Sequence, residues 1–187
     1  WKNSHGVPLS GETDYTCATS IYVSGNDVYL TGFVKDGVAK YWKNGQETSF
    51  GDGELNIITN SIYVSGNDVY VAGCEGIGFK KVAKYWKNGQ EEPLTNGEQT
   101  AEARSIYVVG NDVYVAGYEG IGDKKVAKYW KNGQEVLLND GTQANSIYVV
   151  GNDVYVAGYE KIGGKKVAKY WRNGQAIVLN EGDYDAD

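Results

Sequence analysis

The chain has 187 residues, 41% of them apolar, which is enough for one globular unit or one compact repeat array. Its formal charge of −6, from 18 basic and 24 acidic residues, argues against nucleic acid, because counterion-release binding needs Lys and Arg concentrated on one face. No segment approaches the roughly 20 apolar residues of a bilayer span, so no membrane span is expected.

The chain opens at Trp1-Lys2-Asn3, with no methionine and no charged-then-apolar leader. That is the expectation for a processed, truncated or excerpted product, and it leaves open whether an export signal was removed. The same Trp-Lys/Arg-Asn motif returns after Tyr at Trp42, Trp86, Trp130 and Trp171. A second string, Gly-Asn-Asp-Val-Tyr, places its aspartate at Asp27, Asp68, Asp112 and Asp153. Both recur every 41 to 44 residues or so, and a period of about 40 to 45 is that of a four-stranded propeller blade.

One unit shows how the repeat folds. Ser105 to Val109, Asp112 to Tyr118, Lys125 to Trp130 and Gln134 to Leu138 are short runs rich in β-branched and aromatic residues. They are called strands A, B, C and D. Gly110-Asn111 joins A to B and Asn132-Gly133 joins C to D, dipeptides suited to the primed turns of hairpins. The Gly-rich segment Glu119 to Asp123 returns B to C, so the unit reads as an antiparallel meander. In strand B, Val113 and Val115 point one way and Tyr114 and Ala116 the other, so both faces are apolar and a neighbouring sheet must cover each.

These features predict an all-β protein, a β-propeller of four-stranded antiparallel blades. It divides into a half blade over 1–18 and repeats over 19–59, 60–103, 104–144 and 145–187. A further A-B hairpin would complete the first half blade and give a five-bladed ring. A self-contained four-bladed ring is the alternative, although it leaves two C-D hairpins competing for one place. An incomplete blade would also offer a seam for self-association. Parallel β-helix rungs and choline-binding cell-wall repeats are too short to match the period, and the asparagine-containing ladder of leucine-rich repeats is missing.

The phrases Asp-Val-Tyr-Val-Ala-Gly-Tyr-Glu and Val-Ala-Lys-Tyr-Trp-Lys-Asn-Gly-Gln resemble the blades of repetitive bacterial propeller proteins that are exported or lipid-anchored. The resemblance spans nearly the whole chain. It implies a secreted or cell-surface location, and no particular reaction.

Chemistry-bearing groups are sparse. His5, the only histidine, lies in the degenerate first copy, with no nucleophile elbow or second metal-binding histidine near it. Cys17 and Cys74 occupy non-equivalent repeat positions, which gives neither a disulfide framework nor a zinc motif. Cys74 replaces the aromatic of Phe33, Tyr118 and Tyr159 and reads as a buried apolar substitute. The repeated Asp27, Asp68, Asp112 and Asp153 are explained by local turn hydrogen bonds. The alternating acids Asp183, Asp185 and Asp187 lack the glycine and distal glutamate of a calcium loop. No cofactor or metal is expected. A glycosidase needs two carboxyls converging on one bond, and a repeat disperses such groups, so no enzyme is expected either.

The turns A-B and C-D are nearly constant between copies, whereas the B-C and D-A loops differ, as in Val34-Lys35-Asp36-Gly37 against Glu75-Gly76-Ile77-Gly78-Phe79. Those loops share one end of a meander, where a scaffold can vary its contacts without disturbing its packing. Strand B ends there in Tyr118-Glu119 and Tyr159-Glu160, and strand C begins with the pairs Lys124/Lys125 and Lys165/Lys166. Aromatic plates beside acids and amines suit a glycan or protein ligand. The expected site is therefore Tyr118, Glu119, Lys125, Tyr159, Glu160 and Lys166, on a non-catalytic binding module. A structural spacer, with these groups serving only inter-blade packing and rim salt bridges, is the competing expectation, and a glycoside-active enzyme stands third.

Overall fold

A computed structural model describes residues 16–34, 37–50, 56–77, 80–121 and 124–179. The expectations for the half blade, His5 and the acidic tail therefore lie largely outside the described residues. Among the described residues, four antiparallel sheets follow one another along the chain, each a meander of four strands in sequence order. Blade 1 contains β1 (Cys17–Ser24), β2 (Asp27–Phe33), β3 (Ala39–Lys43) and β4 (Gln46–Ser49). Blade 2 contains β5 (Ile57–Ser65), β6 (Asp68–Ile77), β7 (Lys80–Lys87) and β8 (Gln90–Pro93). Blade 3 contains β9 (Ala101–Val109), β10 (Asp112–Glu119), β11 (Val126–Lys131) and β12 (Gln134–Leu137). Blade 4 contains β13 (Gln143–Val150), β14 (Asp153–Ile162), β15 (Lys165–Arg172) and β16 (Gln175–Val178). Each first strand starts two or three residues before the boundary drawn from the repeats, because pairing continues beyond the conserved Ser-Ile-Tyr run. Among the described residues no helix is long and apolar enough to cross a membrane.

The turns follow from their residues. In the first turn of each blade only the glycine has positive φ, between 57° and 60° at Gly25, Gly66, Gly110 and Gly151, the type II′ pattern. In the second, Asn and Gly both do, as at Asn132 (51°) and Gly133 (80°), the type I′ pattern. The two turns are also tied together: Asn132 Nδ2 donates to Asp112 Oδ1 at 2.8 Å, while the Val113 amide donates to Asn132 Oδ1 at 2.8 Å.

Strand alternation places the aromatic-alanine face of each blade against the valine-tryptophan face of the next. Between blades 3 and 4, Tyr114, Ala116, Ala127 and Tyr129 meet Ile147, Val149, Val154, Val156 and Trp171. The same set, shifted by one blade, closes blade 2 on blade 3. The first strands lie innermost and run side by side. Their tyrosines form a staircase, Tyr22 to Tyr63 at 4.7 Å, Tyr63 to Tyr107 at 4.9 Å and Tyr107 to Tyr148 at 4.7 Å between ring centres. A serine hydroxyl of each blade accepts from an amide of the next, Ile62 N to Ser20, Ile106 N to Ser61 and Ile147 N to Ser105, at 3.2–3.3 Å. These contacts repeat the same step and wind the blades around a shared axis.

One irregularity recurs in every blade. Strand A carries an extra residue opposite strand B, at Thr19, Asn60, Arg104 and Asn145, which makes a β-bulge. The glycine facing it is required for space. A Cβ on Gly117 would stand 1.9 Å from the Glu102 carbonyl oxygen, and one on Gly73 would stand 1.9 Å from that of Ile58.

Candidate functional site

A cavity of about 400 Å³ opens at the end carrying the B-C and D-A loops. It spans blades 2 to 4 and is lined by Lys81, Glu102, Tyr118, Lys125, Tyr159 and Lys166, with Thr100, Thr142, Ile121 and Lys161 completing its wall. Four of the residues expected from sequence thus come together: Tyr118, Lys125, Tyr159 and Lys166.

Glu119 and Glu160 are placed elsewhere. Successive strand residues face opposite ways, so each glutamate lies across the sheet from the tyrosine before it. Glu119 Oε2 receives the Lys128 ammonium at 2.7 Å, and Glu135 receives the same ammonium at 2.7 Å. Glu160 pairs with Lys169 in the equivalent position. Lys128 is buried, and burial by itself favours its neutral form. The two carboxylates outweigh that and leave its pKa raised. Glu119 and Glu160 are therefore in blade-stabilising ion pairs.

The lysine pairs divide by the same alternation. Lys80, Lys124 and Lys165 are exposed, whereas Lys81 and Lys125 are partly buried against the cavity and Lys166, which also lines it, is exposed. Lys125 Nζ stands 3.9 Å from the ring centre of Tyr118, and Lys166 Nζ stands 4.8 Å from that of Tyr159. Tyr118 is only 6% exposed, so one ammonium covers most of what its ring could offer. Tyr159 is more open and donates to Gln143 Oε1 at 3.0 Å.

Glu102 and Lys81 were not among the residues expected from sequence. Lys81 Nζ meets Glu102 Oε1 at 2.9 Å, and Arg104, the bulge residue of blade 3, meets Glu102 Oε2 at 3.2 Å. Burial opposes ionisation of Glu102, but the Lys81 bond and charge, the Tyr118 hydroxyl and Arg104 together hold its pKa below the usual range. The signal available in the sequence was a break in the repeat: the positions paired with the end of strand B read Cys17, Ile58, Glu102 and Gln143. Burial pushes the Cys74 thiol up to about 12, as suits an inert apolar substitute.

No known family profile matches the chain, and no curated protein does. Solved structures do. A GH43 protein retrieved from the capybara gut metagenome is similar over 84% of this chain and 39% of its own, at 13% identity and a TM-score of 0.50. A GH32 beta-fructofuranosidase of Bombyx mori, in complex with sucrose, is similar over 81% of this chain and 50% of its own, at 12% identity and a TM-score of 0.40. The chain thus spans between about two fifths and half of the length of these structures. Both are five-bladed propellers, and the GH43 likeness confirms the propeller fold. It also corrects one expectation. Dispersal of carboxylates around a repeat was the ground for excluding an enzyme, yet this fold is used by glycoside hydrolases. A ring brings residues from separate blades together at one end, so repetition is no barrier to a converging site.

Proposed function

We propose that the chain handles a glycan in the cavity between blades 2, 3 and 4. The observation that carries this reading is the cavity itself. Its roughly 400 Å³ falls within the usual size of small-ligand pockets, and it lies on the variable-loop face. The half-buried ring of Tyr159, less covered than that of Tyr118, supplies an apolar plate for a sugar face. Thr100, Thr142, Glu102 and the lysines supply donors and acceptors for hydroxyl groups.

The test is calorimetric titration of a panel of oligosaccharides against the intact chain and Tyr159→Ala, with reducing-sugar release followed in the same samples. Binding that falls at least tenfold in the variant, with an unchanged circular dichroism spectrum, supports the reading. Sugar release would extend it to catalysis. Failure of every glycan to bind, or binding indifferent to Tyr159→Ala, overturns it and leaves a structural spacer.

A further inference from the structure

The charges around the cavity are unequal in a chain that is acidic as a whole. Lys81, Lys125 and Lys166 occupy the same position in three successive blades, directly before the Val-Ala-Lys-Tyr-Trp run. Lys81 has a carboxylate in the next blade, Glu102. The residue of blade 4 equivalent to Glu102 is Gln143, since each pairs with the last tyrosine of its strand B. Gln143 is a neutral amide, and its own bonds go to Asn145 at 2.8 Å and to the Tyr159 hydroxyl.

Among the described residues, Lys125 and Lys166 accordingly form no ion pair. Among the described residues, their ammonium groups stand over the two tyrosine rings instead. Lys125 is also crowded by like charge. Its pKa is lowered, first by burial, and further by Arg104, Lys81 and Lys166, against the opposing pull of Glu102. Arg104 adds a buried Nε for which the described residues provide no acceptor. A partly desolvated cation without an ion-pair partner, as Lys125 is, is costly to hold, and an anion between it and the exposed Lys166 relieves that cost.

Resting on the glycan reading above, we infer that the cavity selects anionic sugars, with the acidic group held between Lys125 and Lys166 and the sugar ring against Tyr159. Carboxylate and sulfate share this chemistry. The neighbouring copy of the motif shows the same position already satisfied: where blade 3 offers Glu102, Lys81 is neutralised from within the protein.

The experiment titrates the intact chain with digalacturonate, its dimethyl ester and a sulfated disaccharide, at two ionic strengths. Digalacturonate or the sulfated sugar should bind at least tenfold more tightly than the neutral ester, and the tighter of the two identifies the acidic group. Lys125→Gln and Lys166→Gln should each cost about tenfold for the anion, a larger loss than the same substitutions cause for the ester. Gln143→Glu, which recreates the internal partner that Lys81 has, should weaken anion binding by a similar factor. Glu102→Gln should strengthen it by freeing Lys81. Equal affinity for ester and acid overturns the inference while leaving the glycan reading intact. Failure of all three sugars, together with failure of the wider panel, overturns both.

Discussion

Asn132 reaches from the second turn of blade 3 to the first and holds the Asp112 carboxylate at 2.8 Å, although the two residues are 20 apart in sequence. Asn44 with Asp27, Asn88 with Asp68, and Asn173 with Asp153 do the same at 2.8 Å. The aspartate was expected to serve its own turn, but it fastens one hairpin to the next. Asn132→Gly keeps the positive φ and removes the latch, and should lower Tm by about 2–4 °C. Asn132→Ala should lower it further, since alanine disfavours that backbone. Thermal melts check both, and equal Tm for the two variants would remove the conformational part of the argument.

The same latch sets an acid limit. The bond from Asn132 and then the Lys131 ammonium hold Asp112 below its ordinary value, and Asp27 and Asp68 are lowered by their own Asn and Lys partners. Asp153 is lowered by Arg172 and Asn173. A depressed folded-state pKa contributes stability above the unfolded value, near 3.8, and loses it as pH falls through the folded value. Denaturant titrations from pH 5 to pH 2 should therefore show stability declining mainly below the usual aspartate range. Replacing all four aspartates by asparagine should flatten that acid limb.

Glu119 separates structure from ligand. Glu119→Gln weakens the support of a buried ammonium that keeps only Glu135, itself largely exposed, as a full counter-charge. A loss of about 1–3 kcal/mol in denaturant unfolding is expected, with glycan affinity unchanged within twofold. A large affinity loss at equal stability would place Glu119 in the site after all.

Equivalent isoleucines should respond unequally. Ile21 is 59% exposed, whereas Ile106, at the same repeat position in blade 3, is 3% exposed against blade 2. Ile106→Ala should cost about 2–5 kcal/mol, and Ile21→Ala less than about 0.5 kcal/mol. Similar costs at the two sites would mean that blade 1 is covered in solution on the face that carries Ile21.

Gly117 bears on the site through the bulge. Because a side chain there meets the Glu102 carbonyl at 1.9 Å, Gly117→Ala should destabilise by about 3 kcal/mol or more. It should also loosen the Lys81–Glu102 pair and alter glycan binding. An alanine variant of wild-type Tm would mean that the strand absorbs the methyl group by shifting.

Much of this protein is written in short-range terms. The Asn-Gly and Gly-Asn turns, the alternation through Val113 to Ala116 and the repeated Trp86, Trp130 and Trp171 determine strands, hairpins and blades, because turn geometry and pleat depend only on adjacent residues. Alternation would also have separated Glu119 from Tyr118, had it been followed to the end of the strand. What only the tertiary structure decided is which groups of different hairpins and blades meet. The latch of Asn132 on Asp112 is set by the register of the two hairpins within blade 3, and the Lys81–Glu102 pair by the step from one blade to the next. That step is fixed by the packing of entire faces, such as Ala127 and Tyr129 against Val156 and Trp171, and no local run of residues encodes it.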